Sequence, residues 1–448
     1  MRIIKKAFAI KFKKFFYLLM VMVVTITLFP GCWDRQETDE LSLVGSIALD
    51  KLSEDKVLVS LEILNPGALA RGLELAGTQN VVGWVMREEA STVPNAILNI
   101  QRRVPHKIFV GQVNTIILGQ NFAREGGIIR HLEYFATRTE IRRSIFLATC
   151  DSANNLLQRP FMEELPSLTL EGLARQAAAS GKSVDTTLNE FLLKLSEPGI
   201  EPITMHVAGR KTKDVKLKPQ GEEIRQESPA ETPEQPLDSE INIPGMIPPD
   251  HPSLNPLREA GTGETMEALT PSLGIAAFKG DRLMGFLDGN DARGYLWVVG
   301  RMPRGGFIEI PDPFNDSGVL GIKIIRVVSS MKPVVKDEKV SMKVEVQLDL
   351  ELLHLPTNID TAETEAIDII KGEVNSFVKN EIGTTLRIVQ KEYQSDIYGF
   401  GQALYWRNPR LWQQLSEDWN EEIFTEMEVA VSVRSRVRSS GAIIRRSR

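Results

Sequence analysis

One stretch alternates apolar and polar residues without a break: Val340-Ser-Met-Lys-Val-Glu-Val-Gln-Leu-Asp-Leu-Glu-Leu352. Since successive side chains of a strand point to opposite faces, this pattern predicts a long strand with one buried and one wet face. Residues 427–433 alternate in the same way, whereas residues 361–393 carry apolar side chains at the helical period. A second helix is predicted over 410–424. An antiparallel sheet packed with long helices on one face, an α+β domain, is therefore predicted. The wet face either stays solvated or docks a partner.

The first half of the chain alternates between strand and helix patterns. Strands are predicted at 43–50, 57–64, 113–118 and 144–149, and helices at 92–103, 123–135 and 152–157. Strands that alternate with helices indicate an α/β layer. Together with the C-terminal part, this predicts an α+β protein built of three mixed α/β domains.

Composition and spacing divide the chain into six predicted segments. Eight prolines lie between positions 229 and 256, where little apolar surface is available to offset chain entropy. We predict a lipoprotein signal peptide over 1–31, an N-terminal α/β domain over 32–210, a disordered Pro/Glu-rich linker over 211–268, a small middle domain over 269–302, a C-terminal α+β domain over 303–438 and a basic tail over 439–448. The arginines of the tail could lie against anionic lipid or simply be solvated.

The N-terminus has the three parts of a lipoprotein signal. Six basic residues and no acid precede an apolar run from Phe15 to Pro30, which is short for a membrane-spanning helix. Gly31 then precedes Cys32, so cleavage between them would leave Cys32 to carry S-diacylglycerol and an N-acyl chain. An uncleaved anchor, or an ordinary signal peptide followed by cysteine, are the alternatives. Phe29 departs from the leucine that is usual three residues before the cysteine.

Composition excludes one class of function. The 448 residues carry a formal charge of −6, and removal of residues 1–31 would leave −12. Since nucleic-acid binders normally show a net basic footprint, no nucleic-acid partner is expected. Cys150 would have no disulfide partner once Cys32 carries lipid, and it is interpreted as a buried residue at the end of a strand.

No pattern of catalytic or metal-binding residues is found. The five histidines are scattered, and neither HExxH nor GxSxG occurs. Ser180-Gly-Lys-Ser183 lacks the first glycine of a phosphate-binding loop, because position 176 is Gln176. Gly399-Phe-Gly401 lacks the third glycine of a dinucleotide loop, because position 404 is Leu404. A protein without enzymatic activity, cofactor or metal is expected.

Four motifs in order resemble the Ger(x)C family, the lipoprotein C subunits of spore germinant receptors. The first is Gly31-Cys-Trp-Asp-Arg-Gln-Glu37. The second runs from Phe109 to Cys150 and contains Val113-Asn-Thr-Ile-Ile-Leu-Gly119 and Phe122-Ala-Arg-Glu-Gly126. The third runs from Gly274 to Leu287 and continues with Arg293-Gly-Tyr-Leu-Trp297, and the fourth is Asp396-Ile-Tyr-Gly-Phe-Gly401, followed by Pro409, Trp412 and Trp419. The likeness spans nearly the whole mature chain except the predicted linker.

The resemblance implies three α/β domains on the outer surface of the spore inner membrane. It also implies assembly with a multi-spanning A-type subunit and a transporter-like B-type subunit, and a requirement in nutrient-triggered germination without catalytic residues. A solute-binding lipoprotein of a transport system is the alternative function. It would need two similar lobes around a cleft, whereas the halves of this chain are dissimilar.

The motif residues also have a structural interpretation, with partner contact as the alternative. Gly399 and Gly401 flank Phe400 after a long helix, where they permit left-handed backbone and Phe400 can seal the core. Asp396 is expected to cap this turn. The same structural role is expected for the remaining motif residues, which are Trp33, Asp34, Arg35, Gly280, Gly285, Trp412 and Trp419.

Overall fold

The computed structural model describes residues 14–22, 40–53, 55–64, 83–158, 165–210, 254–256, 270–315, 318–337, 339–354 and 364–439. The predicted cleavage and lipid site, Gly31 and Cys32, and the motif residues Trp33, Asp34 and Arg35 lie outside these ranges. So do most of the predicted linker and residues 440–448. Contacts divide the chain into two units, Met1–Leu41 and Ser42–Arg448.

In the first unit, residues 14–22 are helical. Among the helices in the described ranges, none combines the length and the apolar character that crossing a bilayer requires.

The second unit contains fourteen strands among its described residues. They are β1 Leu41–Ser53, which begins one residue before the unit, β2 Lys56–Leu64, β3 Gly83–Ala90, β4 Lys107–Phe109, β5 Thr115–Gly119, β6 Phe146–Cys150, β7 Ile203–Arg210, β8 Leu254–Pro256, β9 Thr270–Lys279, β10 Arg282–Asp288, β11 Phe307–Pro311, β12 Val319–Lys336, β13 Lys339–His354 and β14 Val429–Ser439.

Eleven α-helical segments accompany these strands in the described ranges. They are α1 Val93–Gln101, α2 Gln120–Glu125, α3 Ile129–Thr137, α4 Ala153–Gln158, α5 Pro166–Ser180, α6 Leu188–Ser196, α7 Asn290–Val299, α8 Thr364–Arg387, α9 Phe400–Arg407, α10 Pro409–Leu415 and α11 Phe424–Glu426. Two π-helical turns, Ile388–Tyr393 and Trp419–Ile423, follow α8 and precede α11.

The larger sheet is mixed and has the order β10-β9-β7-β6-β5-β1-β2-β3-β8, with β4 beside β1. β1, β5, β6 and β7 run parallel, and antiparallel neighbours flank them on both sides, β2 beside β1 and β9 beside β7. Helices α1, α2, α3 and α6 bury apolar side chains against one face, and α4 and α5 against the other. The α/β layer predicted for the first half is thus present.

The smaller sheet has the order β11-β12-β13-β14. Every apolar residue of the alternating stretch is buried on one face, from Met342 to Leu352, after a half-buried Val340. The stripe of α8 packs on that face with Ile370, Val374, Val378 and Ile382 buried. The α+β fold class is therefore confirmed, although β14 lies parallel to β13 while β11, β12 and β13 are antiparallel.

Two predicted helices are interrupted. The segment 123–135 is not one helix, because Gly126 and Gly127 have φ of 83° and 72° and separate α2 from α3. The segment 410–424 is also not one helix, since α10 ends at Leu415 and a π-helical turn begins at Trp419.

Strands β9 and β10, from the predicted middle domain, join the larger sheet through β7. Helix α7 from the same segment packs in the core of the smaller sheet. Within the predicted linker, β8 pairs with β3. The six domain boundaries themselves stay predictions.

Candidate functional site at the Asp396 junction

The Asp396 motif folds into a tight turn between the end of α8 and the start of α9. Gln394 and Gly399 have φ of 48° and 76°, so the backbone enters the left-handed region twice within six residues. Glycine is the residue that adopts this conformation at little cost, which explains its presence at position 399. The turn brings the carboxylate of Asp396 under the first N–H groups of α9.

The Asp396 carboxylate is fully satisfied although it is only 1% exposed. Its Oδ1 accepts hydrogen bonds from the N–H groups of Gly399 at 2.9 Å and Phe400 at 3.1 Å. Its Oδ2 accepts from the N–H of Gly401 at 2.7 Å and from the indole N–H of Trp419 at 2.9 Å. A carboxylate at a helix N-terminus stabilises the free N–H groups and the helix dipole.

Burial raises the pKa of Asp396 to about 6, and the hydrogen bonds from Gly401, Trp419, Phe400 and Gly399 oppose that rise. The pKa of Asp396 is therefore set by two opposing effects. Desolvation disfavours the charged carboxylate, and the hydrogen bonds donated to it favour the charged form.

Gly401 is needed for space. A Cβ atom there would lie 2.6 Å from the Trp412 ring and 2.8 Å from Trp419 Nε1. The two indoles pack edge to face with centroids 5.2 Å apart. Phe400 is buried and stacks on Tyr398 with centroids 5.2 Å apart. The sequence motif thus describes one packed unit of aromatic rings around a buried carboxylate.

The same turn is bonded to the loop before β7. The N–H of Glu201 donates to the carbonyl of Asp396 at 2.9 Å, and the N–H of Gln402 donates to the carbonyl of Gly199 at 2.8 Å. Asn420 bridges the two segments, because its Oδ1 accepts from the Asp396 N–H at 3.0 Å and its Nδ2 donates to Glu201 at 2.6 Å. We call these residues, with the Asp396 motif, the Asp396 junction.

The β9–β10 hairpin completes the junction. Glu201 accepts from the N–H of Gly280 at 2.5 Å, and Lys279 pairs with Glu421 at 3.2 Å. Gly280 has φ of 58° in the turn of this hairpin, whereas Gly285 lies inside β10 beneath the ring of Tyr393.

The hydroxyl of Tyr393 donates to the carbonyl of Phe286 at 2.7 Å. Burial raises the pKa of Tyr393 to about 12, so the hydroxyl remains a donor at neutral pH. This bond fixes the end of α8 and its π-helical turn against the edge strand of the larger sheet.

A second buried polar cluster holds α7 against α8. Glu381 forms an ion pair with Arg293 and accepts from the indole N–H of Trp297 at 2.9 Å. Gly294 permits the close crossing of the helices, because a Cβ atom there would lie 2.6 Å from the carbonyl of Glu381.

Sequence reasoning did not find Glu381, Glu201 or Asn420. A single glutamate or a single asparagine has no local signature that marks it as a contact between distant segments. Their partners lie 84 and 219 positions away along the chain. The glycines Gly199 and Gly294 were the available signal, since close approach of backbone requires glycine.

The described residues contain no group of three His, Cys, Asp or Glu side chains that could hold a metal ion. Cys150 is buried at the end of β6, and burial raises the pKa of its thiol well above the usual value. What the Asp396 junction does chemically is to hold distant segments together through hydrogen bonds around the buried carboxylate of Asp396.

Two family models match the chain in sequence order. One, described as "Spore germination protein N-terminal domain", matches residues 34–208, and the other, described as "Spore germination B3/GerAC like, C-terminal", matches residues 273–441. The chain belongs to the Ger(x)C family of spore germination proteins. In this family member, the Asp396 junction joins the two matched regions, since Gly199 and Glu201 lie in the first and Asp396 and Asn420 in the second.

Curated relatives from Bacillus subtilis (strain 168) match over nearly their full length. The chain is 21% identical to "Spore germination protein KC" over 436 residues, which cover 95% of both chains. It is 23% identical to "Putative spore germination protein YfkR" over 427 residues, covering 94% of this chain and 95% of that protein.

A solved structure described as that of the GerBC protein has a similar fold. The TM-score is 0.50 at 15% sequence identity, and the match covers 90% of this chain and 99% of that chain. The Ger(x)C chain therefore shares its overall fold with this solved structure.

Proposed function

We propose that this chain is the C-type subunit of a nutrient germinant receptor. In this proposal, lipid on Cys32 holds it on the outer surface of the spore inner membrane, where it assembles with a multi-spanning A-type subunit and a transporter-like B-type subunit. Membership of the Ger(x)C family and the names of its relatives support a role in germination.

We propose further that the subunit acts as a scaffold or coupling element and catalyses no reaction. The observation that carries this proposal is the Asp396 junction. A network of backbone and part-buried side-chain hydrogen bonds ties the region of the N-terminal family model to that of the C-terminal model. A contact fixed in this way can transmit a displacement from one region to the other, because neither can move without breaking these hydrogen bonds.

The motif residues that face this junction are proposed to be structural. Asp396, Gly399 and Gly401 contact other parts of this chain, and Trp412 and Trp419 are buried. The roles proposed for Trp33, Asp34 and Arg35 rest on the sequence motif alone.

The lipid anchor is tested by metabolic labelling with an alkyne fatty acid. We expect wild-type protein to carry the label and Cys32→Ala to lose it, because the acceptor thiol is gone. Cys150→Ser is the matched control, since it removes the other cysteine and should keep the label. Label that persists on Cys32→Ala would overturn the anchor.

Calorimetry separates the scaffold from the alternative, a solute-binding lipoprotein. We expect amino acids and sugars to give no heat of binding with the purified protein. A micromolar ligand would instead favour solute binding.

A further inference from the structure

The wet face of the smaller sheet is strongly basic in an otherwise acidic chain. We call it the β12–β14 face. It carries nine cations: Lys323, Arg326, Lys332, Lys336, Lys339, Lys343, Arg434, Arg436 and Arg438. It carries four carboxylates: Glu309, Glu345, Asp349 and Glu351. The full sequence has a formal charge of −6, so this excess of positive charge is local.

Strand register places these charges side by side. Asp349 of β13 lies between Arg326 of β12 and Arg436 of β14. Two residues nearer the turn between β12 and β13, Gln347 lies between Val328 and Arg434. Neighbouring strands are about 4.8 Å apart, so cations of all three strands share one face of the sheet.

The carboxylates on this face are outnumbered, and three of the four pair with its lysines and arginines. Asp349 pairs with Arg438 at 3.0 Å, Glu351 with Lys323 at 3.1 Å and Glu345 with Lys343 at 2.6 Å. Arg438 lowers the pKa of Asp349, and Arg436 and Arg326 add to that effect.

The other face of β13 is buried under α8, whereas this one is open. Arg326, Lys332, Lys343, Arg434 and Arg436 are all exposed. Long basic side chains on an open sheet can extend their charged ends toward an anionic surface.

We infer that the β12–β14 face docks onto anionic phospholipid headgroups of the membrane to which the protein is tethered. The inference rests on the proposed function in one respect, since the Cys32 lipid would bring the face to that membrane. Charge complementarity favours a membrane over a protein partner. Cores of protein–protein interfaces are depleted of charge. On this face the exposed Val328 follows Arg326 by two positions on β12 and is in register with Arg434 of β14, and the exposed Phe307 and Val319 lie on β11 and at the start of β12.

The chain that follows β14 supports the same occupant. Residues 440–448 contain three further arginines, Arg445, Arg446 and Arg448, directly after the arginine-rich strand. Clusters of lysine and arginine are attracted to anionic lipid when they lie near the membrane surface. Each such cation strengthens docking by about fivefold.

The test uses the full-length chain after signal cleavage and lipidation, mixed with vesicles. The protein carries a fluorescent probe on the β12–β14 face. A fluorophore is attached through Gln347→Cys, an exposed site between β12 and β14. Vesicles are made of neutral phosphatidylcholine or of phosphatidylcholine with phosphatidylglycerol, and both contain a lipid with a nitroxide on its headgroup. Headgroup-level quenching reports docking, and flotation of the vesicles reports attachment.

We expect strong quenching on anionic vesicles, weak quenching on neutral ones, and loss of quenching at 1 M salt, where the Debye length is about 3 Å. Replacing Arg434, Arg436 and Arg438 by glutamate should weaken docking at least about a hundredfold. Replacement of the same three by glutamine is the milder variant, with a smaller loss. Arg102→Glu/Arg142→Glu/Arg143→Glu is the matched control on the N-terminal region and should quench like wild type.

The two proposals fail in different ways. A chain that floats with both vesicles while its probe stays unquenched overturns docking and leaves the anchor intact. Face-dependent quenching without flotation on neutral vesicles supports docking and overturns the anchor. A probe that is shielded only when partner subunits are co-reconstituted would make the face a protein interface and overturn the lipid inference.

Discussion

Asp396 shows how one buried carboxylate can hold a turn, a helix start and an indole together. Its four hydrogen-bond donors are all parts of the same segment, from Gly399 to Trp419. Asparagine at this position keeps one acceptor oxygen and places an NH₂ group opposite donors. We expect Asp396→Asn to lower the free energy of unfolding by about 2–4 kcal/mol, measured by urea unfolding with tryptophan fluorescence.

Asp418→Asn is the matched control for this substitution. Asp418 is exposed, lies in the same segment and makes no side-chain cap hydrogen bond. We expect it to change the free energy of unfolding by less than about 0.5 kcal/mol. Equal effects of the two variants would show that the Asp396 network contributes nothing specific.

Glu62 gives a pH-dependent prediction. It is fully buried in β2 and accepts from the N–H of Ser167 at the start of α5 at 3.0 Å. Burial raises its pKa from 4.5 to about 7. Because the folded chain then binds this proton more tightly than the unfolded chain, the free energy of unfolding falls by about 3 kcal/mol as pH rises from 4.5 to 7.

Glu62→Gln removes that dependence, since an amide does not titrate and still offers an oxygen to Ser167. We expect the wild-type free energy of unfolding to fall relative to this variant between pH 4.5 and 8, in parallel urea titrations. Glu133→Gln, an exposed glutamate on α3, is the control and should follow the wild-type curve. Parallel curves for wild type and Glu62→Gln would contradict the raised pKa.

At the scale of elements, the crossing of α7 and α8 depends on Gly294. A methyl group there would overlap the carbonyl of Glu381 and come even closer to the hydroxyl of Thr385. We expect Gly294→Ala to lower the free energy of unfolding by about 1–3 kcal/mol, in the same urea assay. The variant should also weaken the pairing of Glu381 with Arg293.

Gly372→Ala is the matched control on α8. A Cβ atom at this exposed position would meet no atom within 4 Å. We expect it to be neutral or to raise the free energy of unfolding by up to about 1 kcal/mol, because alanine favours helix. A loss of stability at Gly294 no larger than at Gly372 would contradict the close crossing.

Elements with strict periodicity were predictable from sequence. The alternation of β13 and the stripe of α8 each follow from one buried face. The prediction of one helix over 123–135 was wrong because two consecutive glycines, Gly126 and Gly127, interrupt the apolar pattern. That β14 is parallel to β13 could not be predicted, since alternation specifies a buried face and not the direction of the neighbour.

The candidate site was predictable in part, because one of its features has a local sequence signal. An aspartate three residues before the first of two glycines is a local signal, and the expected cap has the geometry that Asp396 adopts. Asn420 and Glu201 meet it through long-range packing that no local pattern encodes.

At the scale of the whole molecule, the described contacts of the second unit run from the larger sheet through the Asp396 junction to the smaller sheet. The β9–β10 hairpin extends the larger sheet and also contacts the segment around Asn420 through Glu201. Such continuity suits a subunit that couples partners, which is the function we propose.

Nutrient-triggered germination of spores that lack the gene tests the central claim most directly. We expect these spores to form normally and to lose their response to at least one nutrient, with the wild-type gene restoring it. A receptor subunit is required for the trigger and not for spore assembly. Spores that lack the gene and still respond normally to every nutrient would contradict the account.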